Sequence, residues 1–142
     1  MSEEKIKLVL DTNTIISGLL WKGIEFELLQ TIEQQKALLF LNADILMEIH
    51  RILHYERLKK YIILSELSPE QLIEKITALA HIISGNTPKT SLCRDKEDEK
   101  FITCAILSNA KYIITGDEDL LVIKQYKNIK IITTKEALEL IR

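Results

Sequence analysis

Short runs of unbroken apolar sequence recur along the chain, and the stretches between them are amphipathic. IKLVL at 6–10, ALLFL at 37–41, YIIT at 112–115 and KIIT at 130–133 are rich in Ile, Leu and Val and carry little polar alternation. A strand with no polar face must be covered on both sides. That is the condition of a parallel sheet buried between helices.

The intervening sequence has helical period and helical punctuation. Helices are expected over 14–20 and 25–34, separated by Lys22-Gly23, and over 44–55 with Asn42 as N-cap. Ser68-Pro69-Glu70-Gln71 is a capping box with Pro at the first helical position, and Gly85-Asn86 and Pro88 stop its helix after residue 84. Further helices are expected from the acidic run at 95–98 to 109, over 117–125, and over KEALELI capped by Thr134. Strands alternating with helices predict an α/β fold, a three-layer α/β/α domain with a central parallel sheet of four to five strands. A chain of 142 residues fits one domain spanning 1–142.

Several function classes are disfavoured. No apolar run approaches the length of a membrane span, and no charged-then-apolar leader opens the chain, so a soluble cytoplasmic protein is expected. Cys93 and Cys104 stand in no metal-like spacing and read as reduced thiols. Lys plus Arg number 19 against 21 Asp plus Glu, which excludes a wholly basic surface but permits a local basic patch.

Two apolar runs break abruptly into acid. KLVLDTN ends on Asp11, and YIITGDEDLL breaks at Asp117 and Asp119. In open α/β sheets ligands bind outside the carboxyl ends of the strands. Asp11 or Asp117 taken singly reads equally well as the cap of the next helix. Glu48, in ADILMEIHRIL, sits at the margin of the apolar arc of Ile45, Leu46, Ile49, Ile52 and Leu53. Asp98 lies in line with Phe101, Ile102 and Ala105 at a helix start, where the dipole favours negative charge. Four carboxylates on four elements repel one another unless a cation joins them. An all-oxygen donor set selects a hard ion, Mg²⁺ or Mn²⁺, of the kind that assists phosphodiester hydrolysis.

These residues resemble the PIN domain family, named for the PilT N-terminus, and within it the toxins of type II toxin–antitoxin pairs. The resemblance rests on LVLDTN at 8–13, Glu48 in ILMEI, RDKEDEKFITCAI at 94–106 and YIITGDEDLL at 112–121, in the family's order and spacing. It implies a metal-dependent endoribonuclease with Asp11, Glu48, Asp98 and Asp117 as the acidic quartet. Asp11, Asp98 and Asp117 would be the ligands of Mg²⁺ or Mn²⁺, and Glu48 a further ligand or the general base. Asp119 is implied as an accessory acid, and Asn13 and Thr115 as polar residues orienting ligands or water. Asp95 is the rival of Asp98 in that register. The implied partners are an RNA substrate and a cognate antitoxin protein, with a homodimer expected. Water as nucleophile would leave a 5′-phosphate.

HRILHYERLKK follows Glu48 and gathers Arg51, Arg57, Lys59 and Lys60, which could guide RNA phosphates or simply form a solvated face. His50 and His54 have the spacing of a helical zinc pair but lack its companions and point away from the apolar arc. His81 is expected to be a partly buried core residue and Trp21 a core residue, Trp21 alternatively an interface residue. The apolar stripe of the helix from Pro69 is expected to be core, or in part a dimer or inhibitor seat. Two rival readings stand beside the nuclease. A haloacid-dehalogenase-like phosphatase would use Asp11 as nucleophile, but Asn13 stands where a second acid is needed. A non-catalytic module would bind a metal or RNA without cutting.

Overall fold

The computed structural model describes residues 5–85 and 98–141. Asp95 and Cys93, together with the Asn86 and Pro88 helix stop, lie outside them. The described strands form one six-stranded sheet in the order β3-β2-β1-β4-β6-β5. They are β1 Ile6–Leu10, β2 Ala37–Leu41, β3 Ala80–Ile82, β4 Tyr112–Ile114, β5 Gln125–Tyr126 and β6 Ile129–Ile132. The first four of these and β6 pair in parallel, and β5 alone runs antiparallel to its neighbour. In the register, Leu8 faces Leu39 of β2 on one side and Tyr112 of β4 on the other. Leu8, Val9 and Leu10 are all buried. Alternate side chains of a strand point to opposite faces, so helices cover β1 on both sides.

The described helices are α1 Thr12–Leu20, α2 Ile24–Glu33, α3 Ala43–Leu53, α4 Lys59–Ser65, α5 Pro69–Leu79, α6 Glu99–Ser108, α7 Glu118–Leu121 and α8 Thr134–Ile141, with a short 3-10 turn at Glu56–Leu58. Asn42 Oδ1 accepts from the Ile45 amide at 3.0 Å and starts α3. Ser68 and Gln71 form the reciprocal capping box of α5. The buried residues of α3, Ile45, Ile49 and Leu53, follow its helical period toward the core. Helix α1 lies close against α2 at Gly18, where an added Cβ would stand 2.6 Å from Leu29 Cδ1 and 2.9 Å from the Glu25 carbonyl oxygen.

Three local expectations are corrected. Residues 80–82, expected as helix, pair with β2 as an edge strand after α5 ends at Leu79, which completes five parallel strands, within the four to five expected, and the antiparallel β5 is the sixth. A short apolar stretch such as ALAHII is ambiguous in periodicity, and an open sheet edge decides it. The helix expected over 117–125 stops at Leu121, and Gln125–Tyr126 turns back on β6 through Lys127 in the left-handed region. The last helix is capped one residue early: Thr133 Oγ1 accepts from the Glu136 amide at 3.3 Å, while Glu136 Oε1 accepts from the Thr133 amide at 3.1 Å.

Candidate active site

β1 and β4 lie side by side in parallel, and the strand order runs outward from this pair in opposite directions. That makes the seam a topological switch point, with a crevice at the carboxyl ends of the two strands. Asp11 stands immediately after β1. Its amide donates to the Ile114 carbonyl at 3.0 Å, so the ladder holds the acid's backbone in place. Asp11 is also the N-cap of α1, with Oδ1 accepting from the Thr14 amide at 2.8 Å. Thr115, just past β4 and fully buried, donates its hydroxyl to Asp11 Oδ2. The same hydroxyl accepts from the Asp117 amide at 2.9 Å. Asp117 in turn caps α7, its Oδ1 accepting from the Asp119 amide at 3.0 Å.

Above this seam opens a cleft of ≈770 Å³, lined among others by Asp11, Asn13, Thr115, Asp117, Asp119 and Lys135. Asp11 is 5% exposed at its floor, whereas Asn13, Asp117 and Asp119 are exposed. Burial raises the Asp11 pKa above its ordinary 3.8, the bonds from Thr115 and Thr14 oppose that rise, and the Asp117 charge adds to it.

Glu48 and Asp98 do not line this cleft. Glu48, on α3, accepts from the Thr12 hydroxyl at Oε1, beside Asp11 in sequence. Its Oε2 lies 3.0 Å from Lys100 Nζ and 3.5 Å from Arg51 Nη2. Asp98 is buried immediately before α6, two residues from Lys100. Asn42 Nδ2 donates to the Lys100 carbonyl at 3.1 Å, which ties the start of α6 to the cap of α3. Thr12 and Lys100 were missed in the sequence. Lys100 belongs to a charge run that reads as solvated surface, and no local pattern announces that its ammonium folds back on Glu48.

Among the described residues, no three His, Cys, Asp or Glu side chains gather into a ready-made metal cage. The seam nevertheless suits a hard divalent ion. Mg²⁺ keeps several waters and is held by one or two carboxylates plus substrate phosphate, rather than by an all-protein cage. Asp11 and Asp117 supply carboxylate oxygens in one cleft, and their mutual repulsion is what a cation would relieve.

The remaining candidates are distributed around this centre. Arg51 reaches Glu48, and Arg57 lines a second cleft with Trp21 and Tyr61. Lys59 and Lys60 open α4 as exposed residues. His50 and His54 stand with ring centroids 4.6 Å apart, and His54 Nε2 lies 3.6 Å from Glu70. The expectation of a core position fails for two residues. Trp21 is 41% exposed, and His81 is exposed on the edge strand β3, stacked on Phe40. Cys104 is buried, which pushes its thiol up to about 12. Among the described residues, no helix is long and apolar enough to cross a membrane.

A protein-family model described as "PIN domain" matches residues 7–119. The chain is 36% identical to an uncharacterized protein of Methanocaldococcus jannaschii, over 98% of this chain and 94% of that one. No solved structure matches it.

Proposed function

Because the chain belongs to the PIN domain family, whose members are generally nucleases that use divalent ions, we propose that it is a Mg²⁺- or Mn²⁺-dependent endoribonuclease. The observation that carries this reading is the pair Asp11 and Asp117, joined through Thr115 at the carboxyl ends of β1 and β4. In this reading the chain is one domain over 1–142, acts in the cytoplasm as a homodimer and is the toxin of a toxin–antitoxin pair. Ile63 and Leu64, 67% and 76% exposed on α4, offer apolar surface to a protein partner.

Asp11 and Asp117 would hold the ion, with Asp119 at the rim; the family resemblance adds Asp98, buried just before α6 and outside the lining of this cleft, as a third carboxylate. When bound, the ion supplies positive charge against the charge that develops on the phosphate and favours water as the nucleophile. The chain's own residues do the positioning. Thr115 and the Thr14 amide fix the Asp11 carboxylate at the floor of the cleft, each of its oxygens keeping a lone pair for a further contact. Asn13 and Lys135 line the same cleft and suit contacts to phosphate oxygens. Both Glu48 oxygens are engaged, by Thr12 and by Lys100. That favours Glu48 as the residue that holds α1, and with it Asp11, against α3 and α6.

The test is incubation of the purified protein with labelled RNA in Mg²⁺, in Mn²⁺ and in EDTA, beside Asp11→Asn and Asp98→Asn variants. The expected result is ion-dependent cleavage leaving a 5′-phosphate, lost in Asp11→Asn. A 2′,3′-cyclic phosphate product, or cleavage undiminished in Asp11→Asn, sinks the proposed mechanism.

A further inference from the structure

A second cleft of ≈300 Å³ opens beside the acidic one, and Asn13 and Ser17 line both. Its walls are of a different kind. Trp21 and Tyr61 form an aromatic corner with ring centroids 4.9 Å apart and planes at 60°. An edge-to-face pair leaves ring faces that neither partner covers. Ile16, Ile52 and Leu58 supply apolar surface, and Arg57 is the single charged residue on the lining. Cations and aromatic rings interleave around it: the Arg57 guanidinium stands 5.3 Å from the Tyr55 ring centroid, and Lys60 Nζ stands 5.0 Å from that of Tyr61. An acidic cleft suited to a cation thus adjoins a cationic, aromatic one.

We infer that this second cleft is a stacking subsite for one unpaired base of single-stranded RNA, the base lying against Trp21 and Tyr61 and its phosphate meeting Arg57. The inference rests on the ribonuclease reading and names the part of the substrate that reading leaves open. The volume is at the lower end of small-ligand sites, about 300 Å³ upward, which suits one base. Aromatic platforms beside basic side chains are how proteins hold single strands without reading sequence, because every base presents a π-face. A duplex keeps its bases stacked inside and offers no such face. The cleft therefore selects unpaired RNA, with the cut falling at the neighbouring acidic seam.

Trp21 is the chain's single tryptophan, so its emission reports on this cleft alone. The experiment titrates the full-length protein and its Asp11→Asn variant, both in EDTA, with a short oligoadenylate and with an abasic oligomer of the same charge. Oligoadenylate is expected to quench Trp21 saturably in both proteins, with the abasic oligomer at least ~10-fold weaker. Arg57→Ala should weaken the oligoadenylate about 10-fold and lower its salt slope by about one. Equal responses to the two oligomers, or no quench, would overturn the subsite. So would emission that follows protein concentration alone, because a second copy would then cover the cleft. RNA cleavage without quenching removes the subsite and leaves the nuclease. Quenching without any cleavage does the reverse.

Discussion

The Thr115 hydroxyl donates to Asp11 Oδ2 across the seam between β1 and β4, joining residues 104 positions apart in the chain. Because the same oxygen accepts from the Asp117 amide, one buried hydroxyl fixes the relative placement of both acids. Thr115→Val keeps the shape of the side chain and removes both bonds. It should lower metal-dependent cleavage about 10- to 100-fold, the range for residues that orient ligands. Thr115→Ser should retain most activity. Rates of the three proteins on one RNA, with melting curves as the control for folding, check this.

Asp11 also sets a pH dependence of stability. Its pKa in the fold is raised above 3.8, chiefly by burial. A carboxyl with a raised folded pKa contributes stability that is full below the unfolded value and is lost as pH rises through the folded one. Ionised Asp11 therefore weighs against the fold at neutral pH when no cation is present. In EDTA, Asp11→Asn should melt higher than wild type at neutral pH, and the difference should vanish below pH 3.8. Mg²⁺ or Mn²⁺ should raise the wild-type midpoint and leave that of Asp11→Asn unchanged. Thermal melts across pH, with and without the ion, decide both.

Lys100 and Glu48 are 11% and 15% exposed and meet at 3.0 Å. Removing Lys100 leaves the Glu48 carboxylate, in a largely dry place, with the Thr12 hydroxyl and the exposed Arg51 guanidinium at 3.5 Å. Lys100→Met alone should cost about 2 to 4 kcal/mol, somewhat less than for a fully buried pair. Adding Glu48→Gln should recover much of that loss. A double-mutant cycle in urea measures the coupling, and additive costs would show that the pair does not interact.

Gly18 is where α1 approaches α2, and the Glu25 carbonyl oxygen, 2.9 Å from where an alanine Cβ would stand, is backbone that cannot swing aside. Gly18→Ala should destabilise the chain by about 1 to 3 kcal/mol despite the better helix propensity of Ala. It should also reduce activity, because α1 carries Asp11 at its cap and Thr12 in its first turn. Chemical denaturation gives the first effect and the cleavage rate the second.

Much of this protein is written locally. Unbroken apolar runs fix β1, β2, β4 and β6, because a strand without a polar face has only the interior to occupy. The Asn42 cap and the Ser68–Gln71 box fix where α3 and α5 begin, through hydrogen bonds that span three residues. The positions of Asp11 and Asp117 at strand ends are legible for the same reason. What tertiary structure alone decided is long-range. Residues 80–82 are a strand because β2 offered an open edge, and Trp21 is exposed because the cleft beside Tyr61 leaves it a wall and not a core position. Lys100 folds onto Glu48 because α6 docks where Asn42 can bond its first turn. The strand order that brings Asp11 beside Thr115 and Asp117 follows from which strands pair. Periodicity marks the strands, but the order in which they pair is set by the packing of the whole sheet.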